Sequence, residues 1–235
     1  MTNLIAAALA FLLLHLLVSG TRLRDTITGM IGEGPYMGLF SLATLGALIW
    51  LGLAFSVARG GPGDMVYWSS NSATIAIQLF LQLIAVLFVV PGMLTRNPTS
   101  VGQAGAAEDE DTVKGMLRIT RHPFLWGAAI WATGHILVNG DTASLIMFGT
   151  FLILALAGPI SIDAKRARKN GAAWHGFVAR TSNVPFGAIA SGRQKLNIGE
   201  IGIGRLGAAL VVFLFLLGAH QHIFGQSVFG PNSSL

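Results

Sequence analysis

The chain has 235 residues, 53% of them hydrophobic and 11% charged, with a mean hydropathy of +0.66, a balance that excludes ordinary soluble classes and predicts an integral membrane protein. The formal charge of +5 does not indicate a nucleic-acid partner, because the basic residues cluster in loops beside apolar runs, where membrane topology accounts for them. There is no cysteine, so disulfides, thiolate metal sites and a thiol nucleophile are excluded, and any metal must rest on His, carboxylate or Met.

A helix needs roughly 20 mainly apolar residues to cross the hydrocarbon. Six segments come near that length: Asn3–Ser19, Tyr36–Val57, Ser72–Pro91, Pro123–Val138, Thr142–Ile162 and Ile201–Phe224. The expected fold is all-α, one polytopic transmembrane bundle over 1–235 with a basic excursion at Asp163–Glu200. Fourteen of the fifteen Lys and Arg residues fall in loops on one face, and only Arg59 falls on the other. The positive-inside rule then puts those loops in the cytoplasm and both termini outside, in the inner membrane of a bacterium.

The first span is expected to stay as a helix, since Met1-Thr2-Asn3 carries no cation and Arg22 and Arg24 follow the apolar run. It places Ala8, Phe11, His15 and Ser19 on one face. In the second, Gly34 and Gly38 predict a close-packing seam. In the third, Gln78 and Gln82 predict hydrogen bonds to a neighbouring helix, and Pro91-Gly92 predicts its end.

The loop Thr95–Lys114 carries Glu108-Asp109-Glu110-Asp111, which predicts a solvated loop, with divalent-metal binding as the sharper alternative. Val113, Met116 and Leu117 recur at helical spacing and are expected to lie along the membrane surface.

Arg118 to Asp141 is the chemically richest stretch. Pro123 suits a first helical turn and Asn139-Gly140-Asp141 a terminating turn. Ala128, Ala132 and His135 share a face, a shallow shelf before an imidazole on which a flat ligand could lie. The plain alternative is a small-residue packing face. An ionisable side chain inside a span is costly, so His15 and His135 are functional-site candidates, although each could equally be hydrogen-bonded to a neighbouring helix.

In Asp163–Glu200, Trp174, His175, Phe177 and Phe186 alternate with cations. That pattern predicts a segment snorkelling on anionic lipid, or a lid at the cytosolic mouth. Gly202-Ile203-Gly204-Arg205-Leu206-Gly207 matches the dinucleotide-binding letters but follows no strand, so it is rejected as such a site. His220 and His222, at i and i+2, face apart and are expected at the interface.

Four features together resemble the NnrU family, whose distant relatives include the plant 15-cis-zeta-carotene isomerases. They are the His15 helix with its serine and basic turn, Arg118-Ile-Thr-Arg-His-Pro-Phe-Leu-Trp-Gly, the His135 helix ending Asn139-Gly140-Asp141, and Asp163 through Trp174 to Pro185-Phe186. The resemblance implies a role in nitric oxide and nitrite metabolism, or, through the isomerases, haem b held by axial histidines at the positions of His15 and His135. The isomerase pattern has a cysteine three residues before the later histidine, and this chain has Ala132 there, which puts redox-dependent ligand exchange in doubt.

Under that resemblance, Ser19 and Thr133 are the expected partners of the imidazole N–H groups, and Arg22, Arg24, Arg118 and Arg121 of the haem propionates. Counting from the cytosolic edge places His135 roughly 8 Å deeper than His15. His122 is the alternative second ligand, with an offset of similar size and opposite sign.

The Arg121-His122-Pro123 motif with its basic downstream segment also resembles the isoprenylcysteine-type membrane methyltransferases, which use S-adenosylmethionine. Their paired glutamates are here Ile162-Asp163. A haem-free scaffold assisting a partner membrane complex is the fourth alternative.

Overall fold

In a computed structural model describing residues 1–229, the chain is mostly helical. Helix α1 (Thr2–Leu13) continues through a π turn (Leu14–Val18) and, after Ser19-Gly20, bends by 78° into α2 (Arg22–Ile31), which Thr21 caps by accepting the Leu23 N–H. Then come α3 (Glu33–Ala58), the short strand β1 (Val66–Ser69) and α4 (Ser72–Met93), started by an Asn71–Thr74 capping box. The remainder is α5 (Met116–Ile119), α6 (Pro123–Val138), β2 (Asn139–Asp141), α7 (Thr142–Arg180), α8 (Gly187–Ala190) and α9 (Ile203–Phe224).

Four helices, α3, α4, α7 and α9, are long and apolar enough to cross a membrane, and the bent α1–α2 pair makes a fifth. The expected six is therefore not met by length. Helix α6, at 16 residues, spans about 24 Å, short of a hydrocarbon core of about 30 Å.

Several expectations change. Asn139-Gly140-Asp141 is no simple turn: it pairs antiparallel with β1, so a two-stranded ribbon joins the helices. Pro91-Gly92 does not end α4, which continues to Met93. Helix α7 does not stop at Ile162 but runs on to Arg180 across a kink at Gly171, whose φ of 47° only a residue without a Cβ adopts at little cost. Among the described residues, nothing beyond their own helix and chain neighbours lies within 4 Å of a Cβ built on Gly34 or Gly38, so neither packs a seam between helices there.

The close-packed seam lies instead between α4 and α6. A Cβ on Gly127 would stand 2.6 Å from Val89 Cγ2, and one on Gly134 2.6 Å from Gln82 Nε2. Gln82 uses that proximity, donating to Gln78 Oε1 (3.0 Å) and to the Trp131 carbonyl (3.3 Å), as expected of the glutamine pair.

Part of the segments expected at the lipid surface is buried in protein, while His175 and Phe186 of the same stretch stay exposed. Val113 and Leu117 pack with Trp174 and Phe177, and Met116 with Phe88, Ile119 and Ile201. Apolar residues flanking a basic stretch found a core there, because the α7 extension folds back over the 95–119 segment. Asp109 pairs with Arg96 and Asp111 with Lys114, and among the described residues no group of three or more histidines and carboxylates is placed to hold a metal ion.

The helices share two ends. At one, Ser161 Oγ donates to the Gly20 carbonyl, Arg121 and His122 meet Asp163, and Arg118 meets Glu200. At the other, Arg59 meets Asn139, and the Ala143 N–H donates to Asp64. The expected separation of Arg59 from the cationic loops is thus reproduced.

Candidate functional site: two anchored imidazoles and a polar clamp

His15 lies in the π turn, where the Ser19 N–H reaches the Leu14 carbonyl at 3.0 Å. Such widened turns gather at functional sites. Its Nδ1 is 2.8 Å from the Phe11 carbonyl, and its ring lies 4.5 Å from that of Phe11 and 5.6 Å from that of Phe40. His135 repeats the arrangement on α6. Its Nδ1 is 2.9 Å from the Trp131 carbonyl, and its ring lies 4.7 Å from Trp131 and 4.6 Å from Phe148.

A carbonyl oxygen only accepts, so Nδ1 carries the proton in both rings, and in the neutral imidazole Nε2 holds the lone pair. That is the tautomer a metal-ligating imidazole needs. The N–H partners are backbone carbonyls rather than the expected hydroxyls; Thr133 donates to the Ala129 carbonyl.

Both motifs, aromatic-x3-His on α1 and on α6, meet at one ring of α7: Phe151 touches Phe11 at 5.6 Å and Trp131 at 5.5 Å, each edge-on. Helix α7 also serves as a ruler. His135 stands level with Phe148, whereas His15 lies beyond the Phe11–Phe151 contact, toward the Ser161–Gly20 contact. The backbones of His15 and His135 therefore stand about 10 Å apart along α7, about seven residues at 1.5 Å per residue. Two imidazole nitrogens sharing one metal at bonds of about 2 Å are only about 4 Å apart. Haem suits either imidazole, by tautomer and by apolar surroundings, and the backbone offset along α7 favours one of them as the principal ligand. The shelf before His135 is also covered, because Ala132 is fully buried.

His122 caps α6 at the Arg-rich end, only 2% exposed. Its Nε2 lies 2.7 Å from Asp163 Oδ1, while Arg121 Nε donates to Oδ2 of the same carboxylate at 2.9 Å. His122 Nδ1 is buried without a hydrogen-bond partner. Burial pushes the imidazole below its ordinary pKa, with Asp163 pulling it back up. Asn97 and Thr99 both donate to the Arg121 carbonyl, and the Arg121 N–H donates to the Ser182 carbonyl. This clamp locks the start of α6 to α7, and it stands at the other end of α6 from His135.

The arginines expected to meet propionates are differently placed. Arg24 pairs with Glu33 and lies over the Tyr36 ring. Arg118 forks onto Glu200 (2.6 and 2.9 Å), and Arg121 is held by Asp163. Arg118, with the Gly115 N–H, holds the Glu200 carboxyl down to about 2. Arg22 is exposed on α2, with no ion pair among the described residues. His220, near the end of α9, has Nδ1 2.8 Å from the Gln226 carbonyl. His15, His135 and Phe151 thus form one assembly, and Arg121, His122 and Asp163 another. The Phe148/Phe151 pair and the clamp role of Asp163 were missed from sequence; the only trace of the first is Phe-x-x-Phe on an apolar helix.

The chain is 28% identical over 176 residues to the chloroplastic 15-cis-zeta-carotene isomerase of Zea mays, covering 74% of this chain and 47% of that protein. It is 25% identical over 194 residues to the enzyme of the same name from Arabidopsis thaliana, covering 82% and 52%. The chain therefore spans about half the length of these curated relatives. No solved structure matches it. The NnrU protein family matches residues 3–228, nearly the whole chain, and the chain belongs to that family.

Proposed function

We propose that this chain is a haem b protein of six membrane crossings whose reaction is the cis–trans isomerisation of an apolar polyene. The observation that carries the reading is the pair of aromatic-x3-histidine motifs converging on Phe151, each with Nδ1–H committed to a carbonyl and Nε2 left with its lone pair for a metal. The similarity to zeta-carotene isomerases supports the substrate class. In this proposal Thr2–Val18 and Pro123–Val138 cross together with the four longer helices. The Arg-rich end faces the cytoplasm across a bacterial inner membrane.

His15, in its π turn, would hold the haem, and exposed Arg22, seven residues on, would meet a propionate. Bound there, haem supplies a redox-active iron within apolar walls. Phe11, Phe151 and Trp131 exclude water and offer flat faces to a conjugated chain. His135 presents a second, independent imidazole further along the same wall. Isomerisation about a double bond adds and removes no atoms, so these residues need position and exclude, not transfer protons.

A second reading, nitric oxide sensing in nitrogen-oxide metabolism, is favoured by Ala132, which stands where the isomerase resemblance implies a cysteine. The test is the optical spectrum of the purified protein, oxidised and dithionite-reduced, with conversion of 15-cis-zeta-carotene in liposomes. A haem spectrum with conversion supports the first reading. Haem that responds to nitric oxide without conversion moves the assignment to the second. A colourless protein expressed with ample haem overturns both.

A further inference from the structure

Eight buried side-chain polar atoms lack a hydrogen-bond partner among the described residues, and three donors among them, Arg24 Nη1, Tyr36 Oη and Arg166 Nε, gather where α2 and the start of α3 face α7, with the acceptor Asp25 Oδ1 beside Arg24. Arg24 is only 7% exposed, so its idle nitrogen has no solvent to fall back on. Leaving a charged donor unsatisfied in such a place is costly unless something accepts from it.

The charge balance has the same sense. Arg24, Lys165, Arg166, Arg168 and Lys169 converge there against two carboxylates, Asp25 and Glu33. One of the resulting pairs, Arg24 with Glu33, is tight; Arg24–Asp25, Arg168–Asp25 and Lys169–Glu33 stand at 3.9, 3.8 and 4.0 Å. Lys165, half-buried, lies in the field of Arg24, Arg166 and Lys169 and has no ion-pair partner among the described residues. Arg166 is anchored from behind, its Nη2 donating to the Ser100 carbonyl at 2.7 Å, so its Nε is held in place.

Helix α2 roofs the cluster. It turns 78° away from α1 and leaves Leu23, Met30 and Ile31 exposed, the pattern of a helix lying in the plane of a membrane surface. The cluster therefore stands at headgroup level.

We propose that Arg24, Tyr36, Lys165 and Arg166 form a binding site for a phosphate group, with Lys169 at its rim. Buried donors from three neighbouring helices, Arg24 on α2, Tyr36 on α3 and Arg166 on α7, with cations in excess, match a tetrahedral anion that accepts several hydrogen bonds at once. The in-plane α2 makes an anionic lipid the expected carrier of that phosphate. The site stands independently of the haem reading, since it uses neither His15 nor His135.

The experiment titrates the full-length protein in neutral detergent with short-chain phosphatidic acid and, separately, with inorganic phosphate, following bound states by native mass spectrometry and the unfolding midpoint. Variants are Lys165→Gln, which breaks no ion pair of the fold, Arg166→Gln, and Lys195→Gln as an exposed control. We expect saturable phosphatidic acid binding, weakened at least about tenfold by either cluster substitution and unchanged by the control. Binding of the lipid alone identifies a headgroup site, and competition by inorganic phosphate identifies one that also takes soluble phosphate; either outcome supports the site. Binding of neither, or equal binding in wild type and both cluster variants, overturns it. Loss of haem absorbance in those variants with phosphate binding unchanged reassigns the cluster to propionates and overturns it too.

Discussion

Replacing His15 and His135 by alanine in turn tests the arrangement most directly. The ring contacts along α7 put the backbones of His15 and His135 about 10 Å apart along the bundle. Sharing one iron requires about 4 Å between their nitrogens. Levelling the two by moving the backbone would slide α1 past α7 by about one helical turn. That slide would break the edge-on Phe11–Phe151 contact, worth about 0.5–1.5 kcal/mol beyond its buried area, and the Ser161–Gly20 hydrogen bond, worth about 1 kcal/mol. The two variants should therefore behave unequally. Haem is expected to be lost from His15→Ala and retained at half stoichiometry or better by His135→Ala. The reduced wild type should take up carbon monoxide without displacing a protein ligand. Haem content by pyridine haemochrome and the reduced spectrum measure both. Complete loss in each variant, with a six-coordinate low-spin spectrum in the wild type, would refute the separation.

Three further outcomes follow from the packing and the polar clamps. Gly134→Leu drives a side chain into Gln78 and Gln82, and should cost about 1–3 kcal/mol and visibly lower the unfolding midpoint, whereas Gly34→Leu should leave it unchanged; equal effects would deny the α4–α6 seam. Asp163→Ala strands Arg121, whose side chain is 11% exposed, together with His122, and should cost about 3 kcal/mol, read as a lower midpoint that a second change, Arg121→Met, partly restores; no restoration would mean that the stranded guanidinium is not the source of the loss. His122 has a folded pKa below its ordinary value of 6.5, so between those two values the unfolded chain binds more protons, and stability should rise with pH through that window and fall as pH drops below about 6.5. A midpoint measured from pH 5 to 7.5 should slope upward in the wild type and flatten in His122→Gln, and an identical slope in both would remove His122 as the titrating group.

Much of this protein was legible from local chemistry. Long apolar runs demand a helical membrane bundle because backbone polar groups find no partner in hydrocarbon, and the skewed distribution of cations sorted the loops to two ends. The offset between His15 and His135 was visible as a count of residues from Arg22 and Pro123, and the ring contacts set the two residues at different levels of α7 in the same sense. Charge and hydropathy patterns failed where apolar residues flank a basic stretch. Trp174 and Phe177 read as interfacial, yet they are buried, because a segment's own pattern does not say whether lipid or another segment covers it.

The choice of partner was decided by tertiary structure alone. Arg118 and Arg121 look free in sequence, but carboxylates 82 and 42 positions away claim them. Asp163 gained its role only when α7 ran alongside α6, and Phe151 only when α1 and α6 both packed on α7. Hydropathy and turn chemistry act over a few residues, so they marked the apolar runs as helices and showed which ends are cationic, but not where every helix stops. Which charge neutralises which, and which imidazole stands where, depend on contacts that close only when those helices pack.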